Sequence, residues 1–192
     1  MSAGVLAFPA PLSLTRSTTR RMNPNRPMDE AKFEALYRST ARRVWSYLAR
    51  LTGDPATADD LLQKTYIRFL RANPEGQDDD HLRRYLFRTA TNLALDHFRE
   101  EKRDRGRVIP MPHAPPLPDM GELRHDMMRV FAELKPRERA VIWLAHVEGS
   151  DHEEIARSLS VKPGSVRVLL FRARKRLAEL LSRKGLAPGA TS

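Results

Sequence analysis

The run "HVEGSDHEE", residues 146–154, brings His146, Glu148, His152 and Glu153 close together in the chain. Imidazoles and carboxylates are ordinary zinc ligands. A helical zinc motif needs its two histidines one turn apart on one face, as in HExxH. Gly149 and Ser150 break the helix between these two, so no such pair forms and no metal site is expected. The chain also lacks a glycine-rich phosphate loop, a nucleophile elbow and a cofactor fingerprint. No catalytic residue and no cofactor is expected, and the chain reads as something other than an enzyme.

The stretch that follows carries a different chemistry. In "DHEEIARSLSVKPGSVRVLLFRARKRLAELL", residues 151–181, the acids Asp151, Glu153 and Glu154 come first. From Pro163 to Ala178 the charges are Arg167, Arg172, Arg174, Lys175 and Arg176, with no acid among them. A basic helix face suits an anionic partner, although such faces are often merely solvated. Spacing narrows the choice. Two helices separated only by "SVKP", residues 160–163, must cross steeply, and Ala156 is the small residue that close crossing needs. Ile155, Leu159, Val161, Val166 and Leu169 can form the shared core of a helix-turn-helix. Ser165, Arg167, Val168, Phe171 and Arg172 then face outward on the second helix, which fits a DNA major groove. Arg174, Lys175 and Arg176 follow and can neutralise phosphates. Ser160 stands where the turn usually has glycine, and Lys162 where a small polar cap is usual.

The elements that position these residues are helical. Phe33, Leu36, Tyr37, Thr40, Val44, Tyr47, Leu48 and Leu51 recur at three- and four-residue steps. Gly53 suits a left-handed stop, Asp54 the next N-cap and Pro55 the first position of a second helix. That helix is expected to bury Ala58, Leu61, Leu62, Thr65, Tyr66, Phe69 and Leu70. A third is predicted from about Leu82 to Arg99 on Leu82, Leu86, Ala90, Leu93 and Ala94. Leu123, Met127, Val130, Phe131 and Leu134 predict a helix ended by Pro136. Ala140, Val141, Leu144 and Ala145 predict another, closing at Gly149, with Ser150 and Glu153 as the capping box of the next. Trp45 and Trp143 fall within apolar patterns and are expected in the core. Strand alternation is missing, so the fold class is all-α: two small helical domains joined by a Pro-rich linker, the second containing the helix-turn-helix.

Composition sets the boundaries. Among 192 residues the net charge is +10, which suggests nucleic acid, a membrane surface or an acidic protein as partner. Zero cysteines exclude disulfides and thiolate metal sites. No apolar run approaches a membrane span, so no membrane insertion is expected. "VLAFPAPLSL" is too short and too proline-broken for a secretory signal, and the chain reads as intracellular. Residues 1–28 read as a disordered basic extension whose Met22 and Met28 are candidate later starts. Residues 29–105 form the first helical domain, and 106–119, "GRVIPMPHAPPLPD" with five prolines, a semi-rigid linker. Residues 120–187 form the second domain and 188–192 a tail.

Three segments in order resemble bacterial sigma factors of the extracytoplasmic-function group, across about residues 30–185. "LKPRERAVIWLAHVEGSDHEEIARSLSVKPGSVRVLLFRARKRL" is similar to that family's fourth region, which reads the −35 promoter element. "ATADDLLQKTYIRFLRA" resembles the part of the second region that docks on core RNA polymerase. "YLFRTATNLALDHFREEKR" resembles the part that melts and reads the −10 element. Asp59, Asp60 and Gln63 share one side of their helix; on spacing alone an acid pair there could simply complement the helix dipole. The resemblance implies that Asp60 and Gln63, beside Asp59, meet the polymerase. Asn92, Asp96 and Arg99 also share a side, which spacing alone leaves open as a solvated stripe. The resemblance implies that Asn92 lies beside a flipped base, with Asp96 and Arg99 along the strand. It places the "NPEGQDDDHL" loop, residues 73–82, around that base, and Tyr85 where the family often has Trp. It further implies promoter DNA and core RNA polymerase as partners, an anti-sigma factor as another, and a cytoplasmic, nucleoid-associated protein. A stand-alone helix-turn-helix regulator, with 29–105 as sensor or dimerisation domain, is the alternative. An RNA- or membrane-binding interaction protein is suggested only by net charge and the basic N-terminus.

Overall fold

The computed structural model describes residues 28–74, 78–104 and 122–186. The proposed N-terminal extension, the linker and the tail therefore lie essentially outside the described residues. Those described form seven helices and no strand.

Helix α1 (Glu30–Thr52) buries Leu36, Thr40, Val44, Tyr47, Leu48 and Leu51, the stripe that the three- and four-residue spacing predicts. It stops at Gly53, whose φ of 77° is left-handed and whose N–H donates to Ala49 O. The Asp54 carboxylate accepts the Thr57 N–H at 2.8 Å, and Pro55 opens α2 (Pro55–Ala72). Hydrogen bonds from the Thr57 hydroxyl and N–H hold the Asp54 carboxyl below its usual range. Helix α2 buries Ala58, Leu61, Thr65, Tyr66 and Phe69, but Leu70 is exposed and Leu62 half-buried. Position 70 lies about 100° beyond Phe69 round the helix, which turns it from the core toward Ile67 and Gln63.

Helix α3 (Asp79–Asp104) starts earlier and ends later than the apolar pattern predicts. Polar residues supply the difference, because the Asp78 carboxylate caps it by accepting the Asp80 N–H at 3.1 Å. Its inner face is Leu82, Leu86, Ala90, Leu93 and Ala94, all buried as expected. Two hydroxyl bridges tie α1 to its neighbours. Thr40 donates to Leu36 O, so its single hydrogen is committed and Tyr66 O–H donates to it at 2.7 Å. Likewise Thr91 donates to Phe87 O and Tyr47 O–H donates to Thr91 at 2.8 Å.

The second body differs from expectation at three joints. Helix α4 (Glu122–Ala132) ends before Pro136. That proline, whose missing N–H costs nothing in a first turn, instead opens α5 (Pro136–His146). Met127 is exposed, while Val130 and Leu134 are buried. Helix α5 ends at His146, and Gly149 at φ 67° lets the Ser150 N–H return to Leu144 O at 2.9 Å. That bond ties Ser150 to α5, so the capping box of α6 (His152–Leu159) is Asp151 with Glu154 and not Ser150 with Glu153. Asp151 accepts the Glu154 N–H at 2.8 Å and Glu154 accepts the Asp151 N–H at 3.2 Å. Helix α7 (Pro163–Arg183) completes the fold.

The two bodies lie against each other. Helices α4 and α5 pack on α1, and α5 and α6 pack on α3. Tyr47 is 1% exposed between them, its ring 5.5 Å from Phe87 and 6.0 Å from Trp143. Trp143 is half-buried at this seam, and Trp45 is half-buried on α1. Arg139 is 3% exposed in the seam and meets no carboxylate among the described residues. Its guanidinium carbon lies 5.7 Å from the Phe98 ring centre, and one nitrogen makes a long 3.4 Å bond to Arg50 O. Its Nε has no acceptor among the described residues. Burial pushes this group down to about 10, still charged at neutral pH. A buried donor left without a partner costs about 1–3 kcal/mol. Arg139→Met, similar in length and without that charge, is therefore expected to raise stability by about 1–3 kcal/mol in urea unfolding. A lower urea midpoint would mean the guanidinium is compensated.

Candidate nucleic-acid and polymerase interface

The sharp turn between α6 and α7 is made by Ser160, which takes the left-handed conformation at φ 52° in place of a glycine. Its N–H and that of Val161 both return to Ala156 O. Pro163 occupies the first turn of α7, where a fixed φ is already helical. Ile155, Ala156 and Leu159 of α6 are buried, as are Val166, Leu170, Ala173 and Leu180 of α7. Leu169, expected in the shared core, is only half-buried, and so is Val161; Leu170 fills the deeper position. The inward stripe of α7 runs 166, 170, 173, which sets Leu169 at its edge.

The opposite face of α7 is exposed. Ser165, Arg167, Val168, Phe171, Arg172, Arg174, Lys175 and Arg176 are all exposed, Phe171 at 67% and Val168 at 47%. A large apolar ring left in water, among cations, has no use in this fold's own packing. Arg174 is braced from α5: its Nε and Nη2 lie 3.2 and 3.1 Å from His146 Nε2. Arg176 lies 3.6 Å from Glu179. His146 is thus part of a basic surface, and no group of metal-ligating side chains is present among the described residues.

On α2, Asp59, Asp60 and Gln63 are exposed. They are not equivalent. Asp59 accepts the Trp45 indole N–H at 2.6 Å, which pins it to α1. Asp60 pairs with Lys64 at 2.6 Å, one turn along. Both members of that pair are more than half exposed, and such pairs contribute only about 0.3–0.5 kcal/mol, so Asp60 can exchange partners readily. Ile67 and Leu70 follow at helical spacing and are 40% and 45% exposed, extending the face with apolar surface. Leu70, expected in the core, is thus on the outer face beside Ile67. The 60, 63, 67, 70 stripe was legible as a second face but competed with the stronger inward one.

On α3, Tyr85 and Asn92 are half-buried and share a side with Asp96 and Arg99. Tyr85 is held edge-on by Phe69 at 5.8 Å, and the Arg88 guanidinium carbon lies 4.9 Å from its ring centre. Asp96 and Arg99 form an ion pair at 2.5 Å, so the stripe satisfies part of its own charge. The expected base-holding loop is shorter than residues 73–82. Asp79 to Leu82 are helical and Leu82 is fully buried, while residues 75–77 lie outside the described residues. No described helix is long and apolar enough to cross a membrane.

An all-α pair of bodies with a basic helix-turn-helix in the second defines a DNA-binding protein. Comparison with known proteins gives the particular family. Residues 36–104 match the model of sigma-70 region 2, and residues 124–177 that of sigma-70 region 4. The ECF RNA polymerase sigma factor SigE of Mycolicibacterium smegmatis is 33% identical over 160 residues, 79% of this chain and 62% of that one. RNA polymerase sigma factor CarQ of Myxococcus xanthus is 30% identical over 154 residues, 78% and 88% of the two chains. In solved structures the fold is similar to the sigma factor RpoE in complex with the anti-sigma factor NepR from Bartonella quintana. That match has TM-score 0.65 and 22% identity, covering 79% of this chain and 97% of that chain. The chain belongs to the sigma-70 family of RNA polymerase sigma factors, in the extracytoplasmic-function group. It is an initiation factor that directs promoter-specific transcription, not an enzyme. The stand-alone regulator gives way, since both regions are present in order.

Inner and outer faces of α7 should separate cleanly. Leu170→Ala is expected to cost about 2–4 kcal/mol in thermal unfolding, and Phe171→Ala less than about 0.5 kcal/mol. A large loss for Phe171→Ala would mean that its ring packs within the chain.

Proposed function

We propose that the two bodies of this sigma factor hold separate parts of a promoter while α2 holds core RNA polymerase. Residues 29–105 serve as the polymerase-docking and −10 body, residues 106–119 as the tether, and residues 120–187 as the −35 body. The observation that carries the reading is the outward face of α7, where Arg167, Arg172 and Phe171 stand exposed with no partner among the described residues. A helix fits the major groove, where Arg167 can reach a guanine edge and Phe171 a thymine methyl. Ser165 and Val168 flank them, and Arg174 and Lys175 neutralise phosphates. Asn92, with both a donor and an acceptor, reads a base beside Tyr85, while Arg99 exchanges Asp96 for a phosphate.

Asp60 and Gln63 dock on a basic surface of the polymerase, and Ile67 and Leu70 add apolar area to that contact. Each module alone binds weakly, and tethering raises effective concentration. An anti-sigma factor, like the one bound to the solved RpoE, would compete for these surfaces. The working location is the cytoplasm, on the nucleoid.

Asp60→Arg is expected to abolish core polymerase binding in pull-down and run-off transcription together, while circular dichroism stays unchanged. Full-rate transcription by that variant would remove α2 from the docking site. Arg167→Gln should cost about 1–3 kcal/mol of promoter affinity at one −35 position. An equal loss on every sequence would make it a phosphate contact.

A further inference from the structure

Three arginines of the first body converge on two carboxylates of the second. Arg43 of α1 reaches Glu148 Oε2 at 2.9 Å, and Arg83 of α3 reaches the same oxygen at 3.3 Å. Arg84 reaches Glu154 Oε1 at 3.0 Å through its Nε. The Glu148 side chain is only 3% exposed and that of Glu154 17%, although both arise from the polar corner between α5 and α6. Two acids of the first body also touch this group: Asp80 lies 3.1 Å from Arg83, and Asp78 4.0 Å from Arg84. These are exposed partners at the rim, whereas Glu148 is the buried one.

One oxygen held by two guanidinium groups is the geometry with which proteins hold a phosphate oxygen. The surface also leads somewhere. Arg84, Arg88 and Asn92 follow at four-residue steps along α3, so the cluster runs into the side of that helix that carries Tyr85 and Asn92. A nucleic-acid backbone has the charge spacing and extent to follow such a line of cations; an isolated anion has not.

We infer that Arg43, Arg83 and Arg84 form a binding site for DNA backbone phosphates, and that Glu148 and Glu154 fill it intramolecularly when the two bodies close. The inference rests on the assignment of α3 as a DNA-facing helix. Closure and DNA then compete for the same guanidinium groups. The buried Arg139 guanidinium in the same seam, whose Nε has no acceptor among the described residues, opposes closure, which keeps the carboxylates displaceable. Opening releases the arginines toward the strand and frees the second body for its own half of the promoter.

The test uses the full chain and a duplex with a short unpaired bubble, with affinity measured against salt. Glu148→Gln with Glu154→Gln keeps side-chain shape, and glutamine preserves the α6 capping box. This double variant is expected to bind about tenfold more tightly at low salt, with a log–log salt slope steeper by about two units. Adding Arg43→Gln, Arg83→Gln and Arg84→Gln should cancel that gain. Glu154→Gln alone, at the rim, should give part of the gain and guards against a folding defect at Glu148. No gain in either variant, or a gain that survives loss of the three arginines, overturns the site. Asn92→Ala in the otherwise unchanged chain tests the α3 assignment separately. If it weakens bubble binding while the glutamate variants change nothing, α3 keeps its DNA-facing role and the masked phosphate site is refuted.

Discussion

Everything in this fold is built round the buried stripe of α1. That helix packs on α2 and α3 within its own body and on α4 and α5 of the other. Tyr47 is where these demands meet: its ring is shared with Phe87 and Trp143, and its hydroxyl is bonded to Thr91. Burial pushes that phenol well above its usual range, and the nearby Glu148 charge adds to the effect. Neutral, bonded and enclosed, it joins the two bodies without adding a further charge to the seam. Small three- and four-helix bodies have little core of their own, so a shared seam adds apolar burial that neither could obtain alone.

The charges sort into two classes by depth. Those on the outer faces are exposed, and Asp60 with Lys64 is only a weak surface pair. Exposed pairs contribute little and are given up at little cost when a polymerase or a phosphate arrives. Those in the seam are deeper and less balanced. Glu148 has two arginines, while Arg139 has only a long bond to Arg50 O and the Phe98 ring, with its Nε left without an acceptor among the described residues. A buried donor without an acceptor lowers the stability of such a seam, while the two arginines on Glu148 and the shared Tyr47 ring raise it.

Local chemistry was the legible part. The α1 stripe, the Gly53 stop, the Asp54–Pro55 start and the α6–α7 turn were all readable, because each depends on residues within one or two turns. The outward residues of α7 were also legible, since a helix that buries Val166 and Ala173 must expose Arg167 and Phe171. Where two neighbouring signals competed, the reading slipped by one step. Asp151 displaced Ser150 as cap because the Ser150 N–H was already used by α5, and Leu170 displaced Leu169 in the core. Pro136 read as a stop when it was a start, since proline serves both.

Sequence by itself determined the helical class, the order of the two regions and the basic face of α7 turned to solvent, since periodicity and charge partition are properties of a few consecutive turns. Tertiary structure alone decided that Asp59 is pinned by Trp45 and that Leu70 and Ile67 lie open. It alone brought Arg43, Arg83 and Glu148 together across the seam. Those pairings join residues far apart in the chain, and no local pattern encodes which side of one body will rest against another. Only packing, which must satisfy every buried face at once, makes that choice.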